Sequence, residues 1–150
     1  KLKGFLGKSV PKVRATQARK TYYALTKAIG AGCVKACHDL SEGGLGVAIA
    51  EMAIAGGWGA EIDLARVPAE ALKRDDYALF SESNSRFVVE VAEKDRERFE
   101  TLMKARTHAE IGRVTKNPRL VIRGLNRSVV VDAAFEDLTA SWKRTLSSEV

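Results

Sequence analysis

The chain has 150 residues, of which 45% are hydrophobic and 29% charged, a make-up that suits one globular domain with enough apolar residue for a core. No run approaches the ~20 apolar residues that span a bilayer, and no secretory signal is visible, so the reading excludes a membrane role and places the chain in the cytoplasm. The formal charge of +6 raises nucleic acid as a partner, but the basic residues are scattered, acids interleave the later group from Lys94 to Arg106, and no basic run carries aromatics. That excludes nucleic acid as the main partner and leaves solubility and a preference for anionic ligands.

In chain order, Lys1 to Val13 carries Gly4, Gly7 and Pro11 and reads as an extended lead-in that starts in mid-phrase, as a processed chain or a piece of a longer one would. Thr16 to Ile29 has helical periodicity, with Ala18, Tyr22, Leu25 and Ile29 on the apolar side, and Gly30 and Gly32 end it. Val34 to Cys37 is a short strand. Cys33 and Cys37 form C-x3-C beside His38; this lacks the C-x2-C spacing of zinc and redox sites, the only other histidine is His108, and the pair reads as two small buried thiols in a reducing compartment. Leu45, Ile49, Met52 and Ala53 then define a helix ending at Gly56-Gly57.

Ala60 to Leu64 alternates as a strand. Arg66 to Lys73 holds Pro68 and is a loop, and Asp75 to Phe80 is a short helix. Ser81 to Ser85 is a polar turn before the clearest strand, Arg86 to Ala92. Lys94 to Arg106 is a charged helix with Phe99, Leu102 and Met103 as its apolar stripe, and His108 to Thr115 is a strand. Asn117-Pro118 turns the chain into a hairpin, Arg119 to Arg123 with Ser128 to Asp132. Ala134 to Leu146 closes it as a helix, with Phe135, Leu138 and Trp142 at helical spacing. From Val34 the order is strand, helix, strand, strand, helix, strand, which predicts an α+β fold with a ferredoxin-like split βαβ core, flanking helices and a C-terminal hairpin. No repeat or low-complexity segment interrupts the 1–150 unit.

Two stretches concentrate chemistry. In His38-Asp39-Leu40-Ser41-Glu42-Gly43-Gly44-Leu45, Asp39 and Ser41 are N-cap candidates, Glu42 falls near the first helical turn, and Gly43 and Gly44 allow close approach of a backbone or a ligand. A strand, a glycine-bearing loop and a helix start can present free N–H groups to an anion, or can simply be a capped turn. Ser81-Glu82-Ser83-Asn84-Ser85-Arg86 packs polar groups and a cation into one turn, where Glu82 and Arg86 either bind a ligand or pair with each other. His38 is either a general base or a locally bonded strand-end histidine. Asp75-Asp76 suits a helix start better than a metal, and Trp58 and Trp142 read as packing residues. No nucleophile–base pair, P-loop or dinucleotide fingerprint is present.

These same stretches, with Ala50-Glu51-Met52-Ala53, Gly57 to Leu64 and Leu79-Phe80 running into Phe87-Val88-Val89-Glu90-Val91, resemble phosphoribosylformylglycinamidine synthase, the PurL family of purine biosynthesis. The resemblance runs from Val10-Pro11-Lys12-Val13 to Trp142-Lys143 and implies an AIR synthase C-terminal-domain type of fold. It implies residues 1–150 as a single domain, the second C-terminal-half copy of a longer synthase. That synthase is an ATP-dependent carbon–nitrogen ligase. It converts formylglycinamide ribonucleotide to the amidine with ammonia from glutamine, using ATP and Mg2+ in the intact enzyme. The implied partners are the remaining domains of the synthase, a glutaminase and small accessory subunits, with homo-oligomers through an exposed apolar interface as a further expectation. The family's catalytic histidine and metal ligands lie in its ATP-binding halves, so no catalytic or metal-binding residue is assigned here and the isolated chain is expected to be inactive. By pseudo-symmetry Asp39, Ser41, Gly43, Gly44, Ser81, Glu82, Ser83 and Arg86 would contact a phosphate or nucleotide. The alternatives are a stand-alone ferredoxin-like anion-binding or interaction module, or a hydrogenase-maturation, selenophosphate or thiamine-phosphate member of the same superfamily.

Overall fold

A computed structural model describes residues 11–69 and 72–144. Its elements are α1 (Ala15–Gly30), β1 (Val34–Asp39), α2 (Gly44–Gly56), β2 (Gly59–Asp63), α3 (Asp75–Phe80), β3 (Phe87–Val91), α4 (Arg96–Leu102), β4 (Gly112–Thr115), β5 (Arg119–Arg123), β6 (Val129–Ala134) and α5 (Phe135–Lys143). Short 3-10 turns at Leu64–Arg66 and Glu93–Asp95 follow β2 and lead into α4. The α+β class and the strand, helix, strand, strand, helix, strand order both hold.

Hydrogen bonding resolves that order into two sheets. β1 pairs antiparallel with β3, and a second sheet runs β4-β2-β5-β6. β2 is bonded on both edges, antiparallel to β4 and parallel to β5, so it has no edge left for β3. Two glycines permit this tight pairing. A Cβ at Gly59 would stand within 1.8 Å of the Asn117 carbonyl oxygen, and one at Gly112 within 2.1 Å of that of Glu61. The predicted hairpin is present as β5 and β6, closed by Gly124 N–H donating to the Ser128 carbonyl at 2.7 Å.

Two apolar clusters follow from the two sheets. The larger gathers Leu45, Ala48 and Ile49 of α2, Ile62 and Leu64, Ala78 and Leu79 of α3, and Leu120 and Ile122 of β5. The smaller joins Ala24 and Ala28 of α1 to Cys33, Phe99 and Met103, against Val89 and Val91. α2 is apolar nearly all round because β1, β2, β3, α3 and α5 all meet it.

Several sequence expectations are corrected. α1 buries Ala18, Ala24, Leu25 and Ala28, while Tyr22 and Ile29 stand exposed; the helix turns its small residues to α4, where a closer approach is available. Cys33, just before β1, is buried in the smaller cluster with Ala28 and Phe99, whereas Cys37 falls on the outward face of β1 and is exposed. The helix expected from Lys94 to Arg106 contracts to Arg96–Leu102, and the strand expected from His108 contracts to Gly112–Thr115. Glu110 lies between them, turned to Arg96 at 2.8 Å and Arg66 at 3.7 Å. Trp142 is 63% exposed and Trp58 50% exposed, so neither is a core packing residue; no residue of α5 is fully buried, and only its Leu138 packs on the larger cluster. The lead-in up to Val10 and the end of the closing helix beyond Arg144 lie outside the described residues.

Candidate functional site

The two polar stretches, some forty residues apart in sequence, are one structure. β1 and β3 align Asp39 with Phe87, and Leu40 N–H donates to the Arg86 carbonyl at 3.1 Å, one step past the last strand pair. The loop after β1 and the turn before β3 must therefore emerge side by side.

Gly43 and Gly44 then reverse the chain into α2 with φ of +73° and +64°, the left-handed region that favours glycine. A Cβ on Gly44 would stand 2.7 Å from the Leu79 carbonyl oxygen, 2.8 Å from that of Ser81 and 2.9 Å from the Phe80 carbonyl carbon. The close neighbour that this glycine admits is thus the backbone at the end of α3. Gly43 N–H donates to Glu82 Oε1 at 2.9 Å. A carboxylate of the protein itself sits where the loop geometry would suit a phosphate, and it satisfies an N–H at the start of α2.

The expected caps are corrected accordingly. The N-cap position of α2 is Gly43, with no side-chain cap, and α2 has no acid in its first turn. Asp39 and Ser41 lie too far upstream to reach the helix N–H groups, and Ser41 Oγ donates to Asp39 Oδ2 instead. That bond, more than any other influence, holds the exposed Asp39 carboxyl below the usual carboxylate range. The same carboxylate helps keep the Cys37 thiol up, second to partial burial.

On the other side of the cleft, Arg86 Nη1 donates to the Ser81 carbonyl at 3.0 Å, and Ser81 and Ser83 share a hydroxyl bond at 2.9 Å. Arg86 does not pair with Glu82, which is engaged with Gly43. Among the described residues no carboxylate comes within 4.0 Å of Arg86, and burial alone lowers its proton affinity. A part-buried guanidinium with spare donors and no counter-ion is a ready partner for an anion. Ser85, held at φ +65°, bonds Tyr22 of α1 at 3.0 Å, and the Tyr22 ring meets Phe87 edge-on at 5.5 Å. The turn is therefore braced by α1 from outside. It opens on a groove of about 1260 Å3 between the two sheets, whose walls include Ser83, Arg86, Ile49, Phe99 and Ile111.

His38 points toward α2, with Nε2 3.1 Å from Glu51 Oε2 and Nδ1 2.6 Å from the Asp39 carbonyl oxygen. The strand–loop–helix turn creates this contact between residues thirteen apart in sequence. Asp75 accepts Leu125 N–H at 2.7 Å and Asp76 pairs with Arg74 at 2.6 Å, so these acids fasten the β5–β6 turn and the start of α3. Among the described residues no group of three histidine, cysteine, aspartate or glutamate side chains converges as a metal site, and no helix is long and apolar enough to cross a membrane.

Residues 1–124 match the family model described as AIR synthase related protein, C-terminal domain. The PurL subunit of phosphoribosylformylglycinamidine synthase from Thermococcus sibiricus is 38% identical over 120 residues, covering 80% of this chain but only 16% of that protein. Among solved structures, Thermotoga maritima PurL complexed with FGAR superposes with a TM-score of 0.78 at 22% identity, over 91% of this chain and 23% of that one. The same protein complexed with ATP gives 0.70 at 23% identity, over 80% and 21%. The hydrogenase maturation protein HypE of Escherichia coli gives 0.59 at 22% identity, over 75% and 38%. At these identities the structural likeness is one of fold.

Proposed function

The chain belongs to the family of AIR synthase related proteins, as their C-terminal domain, and on that footing we propose that it serves as one domain, 1–150, of a PurL-type phosphoribosylformylglycinamidine synthase. The match to the Thermococcus sibiricus PurL subunit supports this member of the family over others. In this reading the complete enzyme is a cytoplasmic, ATP-dependent carbon–nitrogen ligase of purine biosynthesis. It activates the amide oxygen of formylglycinamide ribonucleotide with ATP and Mg2+ and replaces it with ammonia from glutamine. Its partners are the other domains of the synthase and subunits like those of the Thermotoga maritima PurLQS assembly. The chain's place is that of the second C-terminal-half copy.

Within that enzyme this domain is mainly architectural. Its own contribution is the paired loop of Asp39, Ser41, Gly43 and Gly44 with the turn of Ser81, Glu82, Ser83 and Arg86, which contacts a phosphate or nucleotide. Arg86 and the two serine hydroxyls supply donors to the anion, while Glu82, Gly43 and Gly44 fix the distance between loop and turn. The observation that carries this is the part-buried Arg86 with no carboxylate partner among the described residues. The donor set fits phosphate oxygens. Of the site's carboxylates Glu82 is engaged with Gly43 and Asp39 with Ser41, and among the described residues no metal-ligating cluster converges here, so Mg2+ would be held by other parts of the synthase.

The test is steady-state kinetics of the complete synthase carrying this domain, with formylglycinamide ribonucleotide, ATP and ammonia. Turnover of that substrate with ADP release is expected, and Arg86→Ala is expected to cut kcat/KM or bound nucleotide about tenfold, the usual worth of one charged hydrogen bond. No turnover of that substrate would overturn the assignment of function. Unchanged kinetics and nucleotide content in Arg86→Ala would overturn the site.

A further inference from the structure

A second, unrelated concentration of positive charge lies at the far end of α1. The first 38 residues of the sequence contain nine of the 25 lysines and arginines and none of the 19 acids. From this acid-free quarter, Arg14 and Lys20 project to an open hollow of about 520 Å3, and Arg106 enters the same hollow from the segment after α4. Thr16 and Gln17 complete its polar wall, and no acidic residue among the described residues lines it.

Five arginines elsewhere, Arg66, Arg74, Arg96, Arg113 and Arg119, each meet a carboxylate within 4.0 Å. Arg14, Lys20 and Arg106 meet none among the described residues. Arg106 is also held in place. Ala105 before it sits at φ +63°, rare for a residue with a Cβ, while Arg106 N–H donates to the Met103 carbonyl at 2.8 Å and its own carbonyl accepts from His108 Nδ1 at 2.9 Å. Three like charges gathered on a fixed concave wall repel one another unless an anion enters.

We propose that the hollow formed by Arg14, Lys20 and Arg106 is a binding site for a compact multivalent phosphate, the diphosphate group of a small molecule. Three cations around a concavity of this size match a diphosphate better than a single phosphate, which two of them would saturate. Its Arg14 also lines the large groove that the Arg86 turn opens on, but the site does not depend on the function proposed above.

The experiment is calorimetric titration of the 150-residue chain with sodium pyrophosphate and, beside it, inorganic sulfate and single-stranded oligoribonucleotide. Pyrophosphate is expected to bind at the hollow, at least tenfold more tightly than sulfate, and more weakly as salt is raised. In the Arg86→Ala background, which removes the anion proposed at the turn, Lys20→Ala and Arg106→Ala should each weaken pyrophosphate binding about tenfold, with circular dichroism unchanged, while Lys27→Ala leaves it alone. Equal loss in Lys27→Ala would mean a diffuse basic surface and overturn the site. Loss of all binding in Arg86→Ala alone would move the binding to the turn before β3 and overturn it too. Tighter, length-dependent binding of the oligoribonucleotide, or no pyrophosphate binding at all, would likewise refute it.

Discussion

Gly44→Ala is the sharpest test of how the candidate site is built. The new Cβ would stand 2.7, 2.8 and 2.9 Å from three backbone atoms at the end of α3, none of which can swing aside as a side chain could. Over-packing of this kind costs about 1–3 kcal/mol. The φ of +64° adds about 1–2 kcal/mol for a residue with a Cβ, and the stiffer unfolded chain returns about 0.4–1 kcal/mol. The net loss should be about 2–4 kcal/mol, read from urea unfolding followed by far-ultraviolet circular dichroism. Gly57→Ala is the control. Its φ of +71° carries the same conformational cost, but nothing lies within 4 Å of the added Cβ, so only about 1 kcal/mol should be lost. Equal destabilisation of the two variants would refute the claim that Gly44 is required by the approach of α3, and would return it to the role of a phosphate-cradling glycine.

Glu82→Ala removes the acceptor for Gly43 N–H and should cost about 1 kcal/mol. Inorganic phosphate should then raise the Tm of the variant more than that of the parent, since the start of α2 is no longer served by an internal carboxylate; no such gain would show that Glu82 does not fill an anion position. Cys37 should alkylate more slowly than a free cysteine at mildly alkaline pH, because burial and then Asp39 raise its thiol. Since the folded thiol holds its proton above the unfolded value, this group favours the fold at lower pH, and its contribution is lost as pH rises past the unfolded thiol's range. Asp39→Asn should speed the alkylation only in part, burial being the larger cause; parity with a free cysteine in the parent chain would refute the reading.

What could be read from the sequence was whatever depends on neighbours in the chain. The helices and strands that repeat an apolar residue at a fixed interval appear where expected, as does the hairpin turn after Arg123. What escaped depends on partners distant in sequence. The period of α1 marked Tyr22 and Ile29 as inward, but α4 and Cys33 lie against the adjacent stripe of alanines. α4 ends in the turn where Ala105 takes φ +63° and Arg106 N–H bonds the Met103 carbonyl, and β4 begins only at Gly112, where it pairs with Ile62 of β2. The division into two sheets follows from β2 accepting both β4 and β5, a choice that no local pattern encodes. In the site, the residue types were visible but not their pairing: the sequence leaves Glu82 and Arg86 either to a ligand or to each other, and the fold gives Glu82 to Gly43 and leaves Arg86 to a carbonyl.

That exchange of partners is the physical content of the two stretches. Had Glu82 paired with Arg86, the turn would be electrically closed and the start of α2 bare. With Glu82 drawn to Gly43, the loop is closed and the cation is bare. The separation is enforced by contacts that admit little adjustment: the Leu40–Arg86 backbone bond on one side, and the glycine-only approach of Gly44 to Leu79, Phe80 and Ser81 on the other. A substitution that loosens either contact frees Glu82 to reach the guanidinium. Its effect on an anion held by Arg86 would then exceed its effect on stability. The two stretches act as one device because the same short contacts fix the fold of the loop and the charge left exposed by the turn.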